Sequence, residues 1–381
     1  MADEENAYSF TTKATHLKTL TQLPAEGFPL WRGGHLSEVT LAYESWGELS
    51  LEADNAILIF TGLSPSAHAA SSERDSSPGW WEYLIGPGKA IDTDRFFVVC
   101  ANTLGGCYGS TGPGSKNPAT GKQYGIDFPD LCLEDVASSG RYLMRELGVE
   151  KLHAVIGSSM GGMSSMAFAM QFPDEVNFLV VISAAVRALP LSIAIRSLQR
   201  EIIRSDEAWN KGDYQSPPVN GMKMARKFGL VSYRSVDEWN SKFDRSRIDE
   251  DKRGKEPFGI EYDIENYLEY NALKFATSFD ANSYQYLSRA MDWFDLAEHG
   301  SSLEDAMARI KVKKALVIGV TTDTLFPVRQ QQEIAELMKL TGTNVVFSEI
   351  DSVNGHDAFL IDDEHFTPVV KDFLDQSSLN N

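Results

Sequence analysis

The sequence has little cysteine and a shortage of positive charge. Its three cysteines, Cys100, Cys107 and Cys132, have spacings that fit neither a disulfide framework nor a zinc site. The 35 lysines and arginines stand against 54 acidic residues, which gives a formal net charge of −19 at pH 7. Such a surface repels nucleic acid and anionic lipid, so we expect neither as a partner. An anionic ligand must therefore be bound by local arginines or by backbone N–H groups.

Long apolar runs are also missing. No stretch approaches the run of about 18 apolar residues that a membrane-spanning helix requires. The first ten residues, MADEENAYSF, are acidic and polar, the reverse of a secretory or transit peptide. Unpaired cysteines suit a reducing compartment. We therefore expect no membrane partner and a cytoplasmic location.

Short apolar runs of strand length recur along the chain. They occupy residues 39–47, 56–60, 96–101, 152–156, 178–184, 315–320 and 344–350. Helical patterns lie between several of them, which predicts a mostly parallel α/β sheet flanked by helices. Residues 187–300 break this rhythm with helical, charged and aromatic segments. We expect a core formed by 1–186 and 301–381, with 187–300 inserted as a helical lid.

The stretch VIGSSMGG, residues 155–162, contains the pattern G-x-S-x-G. The flanking Gly157 and Gly161 select Ser159 rather than Ser158. An apolar strand precedes the pattern and a helical segment follows it, as in a nucleophile elbow. The alternative is a tight turn with no chemical role. The context favours Ser159 as a nucleophile.

A nucleophilic serine needs a base and a carboxylate that orients the base. His356 follows the last predicted strand in NGHDAFL, and Asp323 follows the strand ALVIGV. The chain order Ser159, Asp323, His356 is the order of the α/β-hydrolase fold. Taken singly, His356 fits a surface loop and Asp323 fits a helix cap. Their order and positions together favour a catalytic triad.

The oxyanion hole of such a site combines two backbone N–H groups. The first is predicted at Met160, directly after the serine. The second is predicted at Leu63, in the loop TGLSPSAHAA that follows the strand AILIF. His68 in the same loop fits a substrate contact and a hydrogen-bonded loop histidine equally well.

Longer segments resemble a known family. Residues 79–113, GSSMGGM (157–163), DTLFP (323–327) and GHDAFL (355–360) are similar to the homoserine O-acyltransferase family of the α/β-hydrolase fold. The resemblance covers nearly the whole chain. Residues 61–71, 189–204 and 286–298 resemble its serine O-succinyltransferase branch. The chain has Ser158 where homoserine enzymes carry glycine, which also favours that branch.

The resemblance implies succinyl transfer from succinyl-CoA to L-serine by a ping-pong mechanism. The product, O-succinylserine, would be used for cysteine synthesis. It implies that Arg226 and Asp357 contact the amino acid and that Arg196 governs acyl-CoA choice. Amino-acid choice falls on Pro65, Ser66, Ala67 and His68. No metal or bound cofactor is implied, and the resemblance implies a homodimer through the inserted helices.

Other functions stay open at this point. A homoserine O-acetyl- or O-succinyltransferase would use the same triad with a pocket one methylene larger. A serine esterase or thioesterase would use it with water as acceptor. A solvated position on a helix surface is the alternative for Arg196. A binding module that has lost catalysis is disfavoured, because all three triad residues are present.

Overall fold

The computed structural model describes residues 14–249, 253 and 257–378, so the N-terminal decapeptide lies outside the described residues. The strands are β1 (His16–Thr19), β2 (Phe28–Pro29), β3 (His35–Leu36), β4 (Thr40–Trp46), β5 (Ala56–Phe60), β6 (Ile85–Gly86), β7 (Ile91–Asp92), β8 (Phe97–Ala101), β9 (Leu152–Ser158), β10 (Val176–Ile182), β11 (Lys314–Val320) and β12 (Val345–Ile350). The α-helices are α1 (Leu133–Glu146), α2 (Met160–Gln171), α3 (Pro190–Ser205), α4 (Val219–Tyr233), α5 (Val236–Phe243), α6 (Asp263–Ala276), α7 (Ala281–Trp293), α8 (Leu303–Met307), α9 (Val328–Leu340), α10 (Ala358–Ile361) and α11 (Asp363–Ser378).

Eight strands form the central sheet, in the order β1-β4-β8-β5-β9-β10-β11-β12. The pairs β1 with β4 and β4 with β8 are antiparallel, and the pairs from β8 through β12 are parallel. The predicted mostly parallel sheet is therefore confirmed. Each of the seven apolar runs corresponds to one strand of this sheet. Strand β1 was not predicted, because its residues are only half-buried or exposed and form no apolar run.

The two faces of the sheet bury separate apolar clusters. Along β5, Leu58 and Phe60 pack on one side with residues of α1 and α2. Ile57 and Ile59 pack on the other side with residues of α11. Strand residues alternate between faces, and both faces here are covered. This explains why β5 is an uninterrupted apolar run rather than an alternating one.

Helices α3 to α7 all lie between β10 and β11, within the segment 187–300. They pack largely on one another, through α3 with α4, α4 with α6 and α3 with α7. The division of the chain into core and lid stays a prediction. None of the helices in the described ranges is long and apolar enough to span a membrane.

Parallel strands bring their carboxyl ends to one edge of the sheet. Strands β5, β9, β10, β11 and β12 are successive neighbours in the sheet, and each neighbouring pair is parallel. The loops that follow them carry the predicted site residues 61–68, 159, 323 and 356. The topology thus places these four segments, distant in sequence, beside one another.

Candidate active site

Ser159 occupies a sharp turn between β9 and α2. Its backbone has φ 55° and ψ −123°, a conformation that residues with a side chain rarely adopt. A Cβ on Gly157 would lie 2.1 Å from the Gly161 carbonyl oxygen, and a Cβ on Gly161 would lie 2.1 Å from that of Phe60. Only glycine fits at these two positions. The strained turn presents the serine hydroxyl at the sheet edge.

Three predicted residues form a continuous hydrogen-bonded chain. Ser159 Oγ lies 2.9 Å from His356 Nε2, and His356 Nδ1 lies 2.7 Å from Asp323 Oδ2. The other carboxylate oxygen, Asp323 Oδ1, accepts the backbone N–H groups of Leu325 and Phe326 at 2.9 and 2.8 Å. The carboxylate is therefore fixed, and it holds the imidazole with Nε2 facing the serine.

The electrostatics of His356 suit a general base. Burial alone would lower the pKa of His356, but the charge and hydrogen bond of Asp323 more than offset burial. The net pKa is raised above its ordinary value of 6.5. A carboxylate that raises the imidazole pKa also stabilises the imidazolium formed when the serine loses its proton.

A cavity of about 130 Å³ opens onto Ser159 and His356. Its walls combine apolar side chains with a small set of charged and hydroxyl groups, the composition typical of a small-molecule site. The lining residues are Gly62, Leu63, Ser64, Pro65, Ser159, Ile195, Arg196, Gln199, Arg226, Tyr233, Tyr284, Met291, Leu325, His356, Asp357, Phe359 and Leu360. The helices between β10 and β11 supply much of this wall.

Arg196 is a buried cation in the cavity wall, 4% exposed. Its Nε donates to Asp292 Oδ1 at 2.6 Å. Its Nη1 and Nη2 are buried and have no hydrogen-bond partner among the described residues. A guanidinium with two free Nη groups can donate hydrogen bonds to one more carboxylate.

Arg226 and Asp357 line the same cavity from opposite elements, α4 and the turn after β12. The Arg226 guanidinium lies over the Phe275 ring, 4.5 Å from its centroid. Its buried Nε has no hydrogen-bond partner within the described ranges. Asp357 Oδ2 lies 3.5 Å from Arg234 Nε. Burial raises the pKa of Asp357, although His356, Arg234 and Arg226 act in the opposite direction.

The two residues predicted for the oxyanion hole both lie near the serine. Leu63 lines the cavity. Met160 is the first residue of α2, so its N–H has no acceptor within the helix. Their role in holding an oxyanion stays a prediction.

Of the segment predicted for amino-acid choice, the structure brings Pro65 to the cavity wall. His68 is instead bound on both sides, by Glu44 Oε2 at 3.0 Å and by the Ser77 carbonyl oxygen at 2.9 Å. The Ala67 N–H donates to Asn102 at 3.1 Å. Ser66 and Ala67 are buried beside it. These three residues support the loop rather than line the cavity.

Sequence reasoning missed several residues that shape the cavity. Tyr233 and Tyr284 line it, while Asp292 and Arg234 hold its charged groups. Tyr233 and Arg234 lie at the end of α4 in an ordinary sequence context, and Asp292 lies in the segment 286–298 that resembles the branch, but that resemblance gave it no role. Asp292 is paired with a residue 96 positions away, a contact that only the fold creates.

Comparison with known proteins gives one family model and several close relatives. A model described as the alpha/beta hydrolase fold matches residues 55–363. A protein of Litchfieldella anticariensis named serine O-succinyltransferase is 53% identical over 352 residues, covering 92% of this chain and 96% of that protein.

Two solved structures are also similar over nearly the whole chain. The homoserine O-acetyltransferase of Bacillus anthracis is 29% identical with a TM-score of 0.84, covering 94% of this chain and 97% of that one. Esterase E22 is 29% identical with a TM-score of 0.82, covering 94% and 99% of the two chains. The same architecture therefore serves both acyl transfer and ester hydrolysis.

Proposed function

This chain belongs to the α/β-hydrolase fold family and to its serine O-succinyltransferases, and from that membership we propose that it transfers succinyl from succinyl-CoA to L-serine. The products are O-succinyl-L-serine and CoA. One observation in the site itself supports this choice of acyl group. Arg196 presents two unpartnered, buried Nη groups in the cavity that holds Ser159.

Acylation uses the hydrogen-bonded chain from Ser159 to Asp323. His356 Nε2 takes the hydroxyl proton as Ser159 Oγ attacks the thioester carbonyl carbon. The backbone N–H groups of Leu63 and Met160 hold the resulting oxyanion. The C–S bond then breaks, His356 returns the proton to the CoA thiolate, and the succinyl group remains as an ester on Ser159.

Transfer repeats these steps with a different nucleophile. His356 removes the proton from the hydroxyl of L-serine, whose oxygen attacks the succinyl ester carbonyl. Collapse of the tetrahedral intermediate releases O-succinyl-L-serine, and Ser159 Oγ recovers a proton from His356. The enzyme returns to its starting state without a metal or bound cofactor.

Charge in the cavity explains the choice of both substrates. The succinyl group ends in a carboxylate that the Nη groups of Arg196 bind, whereas an acetyl group ends in a methyl group and has no such acceptor. L-serine is a zwitterion, with a carboxylate for Arg226 and an ammonium for Asp357. Pro65, in the cavity wall, limits the space for the acceptor, and Ser66, Ala67 and His68 set the position of that loop.

Water must be kept from the acyl-enzyme in a transferase. Ile195 and Met291, both on the inserted helices, place apolar surface in the cavity wall. Residues 187–300 therefore act as a lid over the core formed by 1–186 and 301–381. The apolar wall favours transfer to L-serine over hydrolysis of the acyl-enzyme.

A homodimer accounts for apolar surface on the inserted helices. Helices α3, α4 and α6 pack side by side. They expose Leu198, Met224, Val231 and Tyr270, and exposed apolar side chains on packed helices suit an interface. A second copy of the chain covers this surface.

The protein works in the cytoplasm, in cysteine biosynthesis.

The test is a matrix of two donors and three acceptor conditions. Thiol release by the purified protein is followed with succinyl-CoA or acetyl-CoA, each with L-serine, L-homoserine or no acceptor, and products are identified by mass spectrometry. The proposal predicts fastest release with succinyl-CoA and L-serine, yielding O-succinyl-L-serine. Preference for homoserine, or equal release with no acceptor, overturns it.

A further inference from the structure

One face of α3 carries a polar residue at every fourth position. Ser192, Arg196, Arg200 and Arg204 therefore lie in a row along the helix. Ser192 Oγ donates to the Leu325 carbonyl oxygen at 2.7 Å, in the loop that follows Asp323. The three arginines face α7, which runs antiparallel to α3. The row links the triad loop to the seam between the two helices.

Asp292 is the acidic residue at the centre of this seam. Its Oδ1 accepts Arg196 Nε at 2.6 Å, and its Oδ2 lies 2.7 Å from Arg200 Nη2. Arg200 is also fixed by Ser288 Oγ, 2.9 Å from its Nη1. The Arg196 and Asp292 side chains are 5% and 9% exposed. The carboxylate is thus held between two guanidinium groups.

The charges of this cluster do not balance. Arg196 and Arg200 contribute two positive charges and Asp292 one negative charge, so the cluster has a net charge of +1. Buried charge without a partner is unfavourable. The unpartnered nitrogens, Arg196 Nη1 and Nη2, belong to the one member of the cluster that lines the cavity. A carboxylate on a ligand would neutralise the excess positive charge and accept hydrogen bonds from these two nitrogens.

The geometry points to Asp292 as a positioning residue that determines acyl-donor specificity, and we propose that it does so through Arg196. By engaging only Nε, Asp292 fixes the guanidinium and leaves both Nη groups for the carboxylate of a dicarboxylic acyl group. Asp292 Oδ2 makes no hydrogen bond within the described residues, and its ion pair with Arg200 Nη2 at 2.7 Å draws it away from the Nη groups of Arg196. This inference rests on the proposed function and deepens it.

A purely structural role is the competing explanation. The Arg196–Asp292 pair would then serve only to hold α3 against α7. Loss of Asp292 would reduce stability and would affect every acyl donor equally. The two explanations therefore differ in donor preference rather than in total activity.

The experiment compares Asp292→Asn with the wild-type protein, using succinyl-CoA and acetyl-CoA with L-serine as acceptor. We expect kcat/KM for succinyl-CoA to fall about 10- to 100-fold, mainly through KM, because a misplaced binding group costs that much. The value for acetyl-CoA should stay within about twofold. In the double variant Arg196→Ala/Asp292→Asn, kcat/KM for succinyl-CoA should equal that of Arg196→Ala alone.

The matched control is Asp130→Asn. Asp130 forms an ion pair at 2.7 Å on the protein surface with Arg289, which lies on α7 like Asp292. Loss of this pair should leave the donor preference unchanged. Circular dichroism checks the fold of every variant. If Asp292→Asn does not fold, Arg200→Gln replaces it. Without the Arg200 charge, Asp292 Oδ2 is attracted to Arg196 alone and can accept a hydrogen bond from one of its Nη groups, so succinyl-CoA use should fall while acetyl-CoA use is kept.

Equal losses with both donors, or additive losses in the double variant, would overturn the inference while leaving succinyl transfer in place. Succinyl-CoA use that is unaffected by Asp292→Asn, or by Arg200→Gln where that variant replaces it, would overturn it as well. A wild-type protein that transfers no succinyl group to L-serine would overturn the proposed function and this inference together.

Discussion

Gly355 lies directly against the backbone of the inserted helices. A Cβ on Gly355 would be 2.6 Å from the carbonyl oxygen of Tyr233 and 2.9 Å from Cα of Arg234. Gly355 also has φ +63° and precedes His356 in the chain. The end of α4 therefore packs on the loop that carries the catalytic base, with no room for a side chain between them.

Gly355→Ala should displace His356 from Ser159. The added methyl group cannot be accommodated by backbone atoms, so the loop must move, and a shift of this kind costs about 100-fold in rate. Steady-state kinetics give kcat/KM. The control is Gly342→Ala, because Gly342 has φ +91° with nothing within 4 Å of an added Cβ. That control should lose about 1–2 kcal/mol of stability and keep its activity; a similar kcat/KM for both variants would contradict the prediction.

The pH dependence of kcat/KM should follow His356. The base accepts a proton only when neutral, and its pKa is raised above 6.5 because Asp323 more than offsets burial. Asp357 acts in the same direction as Asp323, and Arg196 opposes it. Activity should therefore rise with pH, with a midpoint above 6.5.

Asp323→Asn removes the main cause of this raised pKa. Its kcat should fall about 10³- to 10⁴-fold because the imidazole is no longer oriented, and the midpoint of the residual activity should move to lower pH. A pH–rate profile of both proteins checks this. A wild-type midpoint at or below 6.5, or an unchanged midpoint in the variant, would count against His356 as the base.

Asp357→Asn should weaken acceptor binding without slowing acylation. The charged hydrogen bond to the ammonium contributes about 1.5–3 kcal/mol, so KM for L-serine should rise about tenfold or more. The first burst of thiol from succinyl-CoA alone should be unchanged. Glu364→Gln, at an exposed position nearby, serves as control. An unchanged KM for L-serine would remove Asp357 from the acceptor site.

His68→Ala should reduce stability strongly. It would leave Glu44, which is 1% exposed, without its imidazole partner, and breaking a buried pair costs about 3–5 kcal/mol. Urea unfolding measures the loss. The control is His365→Ala, because His365 pairs with Asp362 on the surface and should contribute less than about 1 kcal/mol. Equal losses in the two variants would show that the Glu44–His68 pair does not hold the loop.

The sequence predicted those features that depend on local pattern. Gly157 and Gly161 identify the turn around Ser159 because backbone contacts there exclude any Cβ. Asp323 and His356 were predictable because each follows a strand in a parallel sheet, and parallel strands bring such positions together. The apolar runs predicted the strands for the same reason, since a sheet covered on both faces needs continuous apolar residues.

Features that depend on pairing between distant elements were not predictable. Arg196 resembled an arginine of the family, but its pairing with Asp292 requires the antiparallel packing of α3 on α7. His68 lies in a segment predicted for amino-acid choice, yet Glu44 binds it from a strand 24 residues earlier. Neither contact leaves a pattern in the sequence around either partner.

The most direct test of the account is the mass of the protein after brief mixing with succinyl-CoA in the absence of L-serine. We predict the addition of one succinyl group on the peptide that contains Ser159, its removal on addition of L-serine with formation of O-succinyl-L-serine, and no addition in Ser159→Ala. Absence of the adduct in the active wild-type protein, an adduct on another residue, or an adduct that L-serine does not remove would contradict the account.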